Sequence, residues 1–174
     1  MTATTLKTVI GVMGPGKLDP ASASDREILT SAYALGQEIA REGWVLLTGG
    51  RAAGVMEEAS RGANEAGGIV LGILPDADTV NCSSFVSIAV PTAMGSARNN
   101  INILASHVVV TCGMGAGTAS EAALAIKAGK NVIMLHPGDS AAAFFLELAA
   151  GQVKVAENVT STVALIKSKL NLNG

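Results

Sequence analysis

Aromatic residues are nearly absent from this chain: three Phe, one Tyr and one Trp make up 3% of its 174 residues. Charge is also scarce, at 15% Asp, Glu, Lys and Arg, and the formal net charge is −2. No basic stripe is available, which excludes long nucleic acid as a partner. Cysteine is limited to Cys82 and Cys112, far apart and without a C-x-x-C pair. That argues against a structural zinc site and for a reducing compartment. No uninterrupted apolar run is long enough to span a bilayer, so no membrane partner is expected. The N-terminal part does not read as a secretory signal, because Lys7 is followed by the short strand-like run Thr8-Val9-Ile10-Gly11-Val12-Met13. The expected location is cytoplasmic.

What the chain has in quantity is small and aliphatic side chains. It is 49% hydrophobic, with a mean hydropathy of +0.42. An interior of Ala, Val, Ile and Leu between closely packed helices and strands produces that balance. Part of the apolar surplus is expected to lie in a subunit interface, to which the helices 94–105 and 116–128 could contribute. The length suits one domain, residues 1–174, with room for a real core.

Strand and helix signals alternate throughout. Strands are expected at 8–13, 44–48, 69–74, 85–90, 107–111, 131–135 and 153–156. Helices are expected at 24–42, opened by the S-x-x-E box Ser24-Asp25-Arg26-Glu27, and at 54–66, 94–105, 116–128, 141–150 and 160–170. Residues 76–84 read as a polar loop. Alternation of this kind predicts an α/β fold: a Rossmann-like, doubly wound parallel sheet of about six or seven strands with helices on both faces. Ligands of such sheets bind beyond the carboxyl ends of the strands. Three of those ends carry paired or clustered glycines: Gly14 and Gly16, Gly49 and Gly50, and Gly113, Gly115 and Gly117.

The stretch Val108-Val109-Val110-Thr111-Cys112-Gly113-Met114-Gly115-Ala116-Gly117-Thr118-Ala119-Ser120-Glu121 carries the most information. Its β-branched start suits a strand buried on both faces. Its glycines allow a sharp turn and close backbone approach, and the helix that follows offers free N–H groups at a positive dipole end. A small phosphorylated ligand is the expected occupant. Thr118-Ala119-Ser120-Glu121 also fits a T-x-x-E capping box, which accounts for Glu121 structurally, while the functional reading places Glu121 in the ligand crevice.

Two familiar nucleotide patterns fail. Gly11-Val12-Met13-Gly14-Pro15-Gly16-Lys17-Leu18 fits G-x-x-x-x-G-K but ends in Leu18, where the magnesium-holding hydroxyl of a P-loop belongs. Gly113-Met114-Gly115-Ala116-Gly117 is G-x-G-x-G, and the second strand ends in Thr48-Gly49-Gly50 without a ribose-binding carboxylate, so neither NAD nor FAD is expected. Gly14, Gly16 and Lys17 remain candidates for contact with a ligand. The turn Gly49-Gly50-Arg51 is either a second oxyanion cradle or a close helix–sheet contact, with Arg51 on phosphate or in solvent. Arg98 suits bidentate contact with phosphate or carboxylate, and Asn99 suits a heterocycle or a neighbouring backbone group. Cys112, His107 and His136 read as structural, and no metal-ligand set stands out.

The order of Gly49-Gly50-Arg51-Ala52-Ala53-Gly54-Val55-Met56, Gly67-Gly68-Ile69-Val70-Leu71-Gly72-Ile73-Leu74-Pro75, Arg98-Asn99 and Gly115-Ala116-Gly117-Thr118-Ala119-Ser120-Glu121 resembles the Lonely Guy/lysine-decarboxylase-like superfamily. Within it the chain looks most like the molybdenum cofactor carrier proteins, over residues 7–135. The Lonely Guy enzymes cleave nucleoside 5′-monophosphates to free base and ribose 5-phosphate, with a P-G-G-x-G-T-x-x-E motif and an upstream Arg-Lys pair. Here Gly113-Met114-Gly115 replaces the opening P-G-G and Asn99 replaces the lysine; the arginine and glutamate linked to catalysis map to Arg98 and Glu121.

The carrier resemblance implies binding of molybdopterin in its phosphorylated, protected form. Phosphate would sit at Gly115 to Thr118, assisted by Arg98, with hydroxyl contacts from Thr118 and Ser120. The heterocycle would lie near Gly14 to Lys17 and Gly49 to Arg51, and the cofactor's own dithiolene would hold the molybdenum. Molybdenum enzymes as recipients and a dimer or tetramer are implied on the same ground. The reading is a binding protein, with a Lonely Guy-type phosphoribohydrolase as the alternative.

Overall fold

The computed structural model describes residues 6–171. Seven strands form one sheet in which every pairing is parallel: β1 (Val9–Met13), β2 (Val45–Thr48), β3 (Ile69–Leu74), β4 (Ile88–Pro91), β5 (Val108–Cys112), β6 (Asn131–Leu135) and β7 (Val153–Ala156). Their spatial order is β4-β3-β2-β1-β5-β6-β7. The chain thus steps outward from β1 on one side, then returns to β1 and steps outward on the other. The order reverses between β1 and β5, and an open crevice forms at their carboxyl ends, as in other doubly wound sheets.

The helices are α1 (Ala23–Arg41), α2 (Gly54–Glu65), α3 (Asn99–Ala105), α4 (Ala116–Lys127), α5 (Asp139–Ala149) and α6 (Val159–Asn171), with a short 3-10 helix at Gly95–Arg98. Alternation along each strand splits the core into two layers. Ile10, Val12, Leu46, Val108, Val110, Ile133 and Leu135 face α1, α2 and α6. Met13, Leu47, Ile73, Val109, Val132 and Met134 face α3, α4 and α5. The central strands β1 and β5 are therefore aliphatic on both faces, as expected of a parallel strand covered twice.

Three local expectations differ from the structure. The first helix is capped by Ser22, whose Oγ accepts the Asp25 amide at 3.4 Å, and Ser24 lies inside the first turn. Asp25 is too short to complete a reciprocal box and instead accepts the Asp19 amide at 2.8 Å. The helix expected at 94–105 is tightened to 3-10 geometry over Gly95–Arg98 before it continues as α3. Gly95, at φ +54°, turns its N–H to the Pro75 carbonyl, which ties the segment to the end of β3. Thr118 is not a cap: α4 begins at Ala116 after an extended Gly115, and no side chain caps that end. The remaining boundaries agree with the sequence reading to within about three residues.

Candidate functional site

The carboxyl ends of β1, β2, β3 and β5 and the start of α3 surround a cleft of about 580 Å³. That volume lies in the range of small-molecule and cofactor sites. Gly14, Gly16 and Lys17 line it from the loop after β1, and Gly49 and Arg51 from the loop after β2. Arg98 and Asn99 enter from the 3-10 helix and α3, and Gly115, Ala116, Gly117, Thr118 and Glu121 from the start of α4.

Four residues singled out from the sequence do not line the cleft. Gly50, at φ +74°, makes the turn after β2, and a Cβ there would sit 3.0 Å from the Gly72 Cα. Gly113 is also turned away, with its N–H on the Leu135 carbonyl at 2.8 Å. Met114 packs against the core layer under α3 to α5. Ser120 donates its hydroxyl to the Gly117 carbonyl at 2.8 Å and lies 3.5 Å from Asn99 Nδ2. Conversely, Val12, Met13, Pro15, Met56, Pro75, Asp76, Gly95 and Ser96 line the cleft without having been singled out. The signal for Pro75 and Asp76 was their place just past β3, on the sheet edge that already carried the glycine turns.

The first turn of α4 is open. Its first helical hydrogen bond runs from the Ala119 amide to the Gly115 carbonyl at 2.8 Å, so the amides of Ala116, Gly117 and Thr118 precede the ladder. Thr118 is buried, yet its Oγ1 has no hydrogen-bond partner among the described residues. The same holds for Nε of Arg98, which is 8% exposed. Buried polar atoms are nearly always satisfied in folded proteins, and two of the unpartnered ones belong to residues that line this cleft.

Arg98 is held by what surrounds it. Its guanidinium donates to the Asn99 side-chain oxygen, and Nη1 lies 3.5 Å from Oε1 of Glu121. Oε1 also accepts from Nδ2 of the buried Asn102 at 3.3 Å. Burial pushes the Arg98 guanidinium down from its usual range; Glu121 and Asp76 oppose that, and Arg51 adds to it. Burial likewise pushes the Glu121 carboxyl up, against the pull of Arg98 and Asn102. Glycine at position 49 is what makes room: an added Cβ would stand 2.6 Å from Arg98 Nη2 and 2.7 Å from Met56 Sδ. Gly49 is thus a close-approach residue for the arginine, and not only a turn.

The two histidines serve the scaffold. His107 Nδ1 accepts the Val9 amide at 3.0 Å, and His136 Nε2 pairs with the Ser31 hydroxyl at 2.9 Å. Cys112 is buried at the end of β5, and burial pushes its thiol up to about 12. Among the described residues, no group of three or more His, Cys, Asp and Glu converges in a way that could hold a metal ion. No described helix is long and apolar enough to cross a membrane.

The model of the SLOG cluster4 family matches residues 7–164. The chain is 49% identical to the molybdenum cofactor binding protein of the phototrophic bacterium Rippkaea orientalis, with a TM-score of 0.90 over 96% of this chain and 99% of that one. It is 51% identical to the Moco carrier protein of Chlamydomonas reinhardtii, with a TM-score of 0.88 over 95% of this chain and 99% of that one. It is also 42% identical over 128 residues to an uncharacterised protein of Archaeoglobus fulgidus, covering 74% of this chain and 80% of that relative.

Proposed function

This chain belongs to the SLOG cluster4 family, and from that premise we propose that it binds and protects molybdenum cofactor as a carrier or storage protein. The relatives that share about half of its residues are described as binding or carrying that cofactor. The observation on this chain that carries the reading is the unpartnered, buried Thr118 hydroxyl beside the open first turn of α4. A phosphate there would accept from the amides of Ala116, Gly117 and Thr118, from the Thr118 hydroxyl and from Nε of Arg98. The helix dipole favours the same charge. The fused heterocycle would extend past Gly14 to Lys17 toward Gly49 and Arg51. The protein need not ligate the molybdenum, because the dithiolene of the cofactor does so.

The test is a titration with isolated molybdenum cofactor under anaerobic conditions, followed by exposure to air. Saturable binding and slowed oxidation are expected. Absence of either at cofactor concentrations well above those of the protein overturns the proposal.

The ion-pair contact of Arg98 with Glu121 favours one other reading, a Lonely Guy-type phosphoribohydrolase. Glu121 would then stabilise positive charge on the ribose. That role asks for an ionised carboxylate free to face the ribose, whereas burial pushes the Glu121 carboxyl up and its Oε1 is shared between Arg98 and Asn102. Incubation with nucleoside 5′-monophosphates is expected to release no free base. Release that Glu121→Ala abolishes would reverse the assignment. The carrier reading also takes the chain as a cytoplasmic homo-oligomer that delivers its cargo to molybdenum enzymes.

A further inference from the structure

The cleft that offers its amides and arginine to an anion also contains a carboxylate that Arg98 feels only at a distance and that forms no ion pair among the described residues. Asp76 lines the wall just past β3. No Lys or Arg lies within ion-pair distance of it among the described residues. Its backbone is pinned, because its carbonyl accepts the amides of Thr92 at 3.1 Å and Ala93 at 3.0 Å. One carboxylate oxygen is steadied by Nδ2 of Asn81 at 3.4 Å, and the other has no hydrogen bond from the protein among the described residues. A fixed negative charge in an anion-binding cleft opposes its ligand unless it meets hydrogen-bond donors on that ligand.

The sheet order sets the loop that carries Asp76, past β3, apart from the start of α4, past β5, where the phosphate is proposed. β3 and α4's strand, β5, are separated by β2 and β1, three strand spacings or about 14 Å at roughly 4.8 Å each. Read along the cleft, the order is the α4 amides, then Gly14 to Lys17, then Gly49 and Arg51, then Asp76. The end of a pterin farthest from its phosphate-bearing ring carries a ring N–H beside an amino group. These two donors are parallel and adjacent, and a carboxylate accepts both at once. Resting on the carrier reading above, the geometry points to Asp76 as the residue that reads the amino-pyrimidinone edge of the ligand and so selects pterin- and guanine-type rings over adenine.

Guanine presents the same adjacent pair, its N1–H and 2-amino group, whereas adenine does not. The probes are therefore GMP, AMP and isolated molybdenum cofactor, titrated calorimetrically into wild-type protein and Asp76→Asn. Wild type is expected to bind GMP about tenfold more tightly than AMP or better, the scale of one charge-assisted hydrogen bond. Asp76→Asn is expected to lose that preference and to bind the cofactor about tenfold more weakly. The opposite sign is diagnostic: if Asp76 is only a bystander, removing its charge strengthens binding of every anionic ligand. Equal or tighter binding of GMP and cofactor by Asp76→Asn, or no GMP preference in wild type, overturns the inference. The wild-type ratio decides the matter even if the variant misfolds. Failure of the wild type to bind cofactor overturns the proposed function instead, whereas cofactor binding that is no weaker in Asp76→Asn overturns only the role of Asp76.

Discussion

Thr118 and Glu121 occupy one wall of the cleft, and each makes the empty protein less stable than a plainer residue would. The Thr118 hydroxyl is buried without a partner, a condition that costs about 1–3 kcal/mol relative to a satisfied group. Thr118→Val keeps the shape and removes the orphan. Urea denaturation without ligand should therefore show stability raised by about 1 kcal/mol, while calorimetry shows weaker binding of the phosphorylated ligand. Glu121 predicts a pH dependence. Burial lifts its carboxyl above the ordinary 4.5, more than Arg98 and Asn102 lower it. The folded protein thus holds that proton more tightly than the unfolded chain. Its contribution to stability is full below about pH 4.5 and is lost as the pH rises through the folded value. Glu121→Gln removes this loss, so stability measured for both proteins should shift in favour of the variant as the pH rises above about 4.5. A parallel pair of curves would refute that. Arg98 and Glu121 could be picked out beforehand because a lone arginine and a carboxylate in the first turns of a helix that follows a glycine-rich turn stand out in a sequence poor in charge. Asn102 could not, since its role depends on which neighbours folding brings, and Asp76, outside the glycine turns, had only its place just past β3 to mark it.

Helix-to-helix packing explains how a core with Phe145 as its one buried aromatic among the described residues closes. Where α1 crosses α2, a Cβ on Gly36 would stand 2.1 Å from the Ala59 carbonyl oxygen, and one on Gly62 2.0 Å from that of Tyr33. Both are backbone obstacles, which cannot rotate away. Backbones this close exclude bulky side chains between them, and Ala32, Ala59 and Ala63 fill the rest of the seam. Gly36→Ala gains helix propensity of about 1 kcal/mol, yet it forces the helices apart, and overpacking costs about 1–3 kcal/mol. The contact is with backbone, so the larger value should win, and thermal unfolding should show a lower Tm despite the better helix former. An unchanged or higher Tm would mean that the two helices can separate freely. Elements were legible here because short continuous apolar runs, the mark of strands buried on both faces, alternate with segments of 3.6-residue period between glycine and proline turns. Their starts were less so: Ser22 against Ser24, and Gly115 against Thr118, offer equivalent local chemistry, and the choice falls to the incoming chain.

At the scale of the whole molecule, parallel strands and helices on both faces followed from alternation alone. The order β4-β3-β2-β1-β5-β6-β7 did not, because which strand neighbours which depends on long-range pairing that periodicity does not encode. That order leaves one face incompletely covered. On the side of α3, α4 and α5, Leu104, Phe144 and Leu148 are 58%, 59% and 56% exposed. α5 is apolar almost all round, with Phe145 inward and Phe144, Leu146 and Leu148 outward. A helix of that kind is normally buried on every side, and α4 beside it presents mainly small residues such as Ala123 and Ser120. A second copy of the chain would supply the missing cover, in keeping with the proposed homo-oligomer and the high mean hydropathy. Light scattering at micromolar concentration should then give a mass of at least two chains. The double substitution Phe144→Asp and Leu148→Asp should reduce it to one, because like charges would face each other across a self-complementary contact. Neither residue lines the cleft, so the monomeric variant should still bind phosphorylated ligand at its own site. The Tm of the wild type alone should rise with protein concentration. A wild-type mass of one chain would mean that this apolar face is tolerated bare.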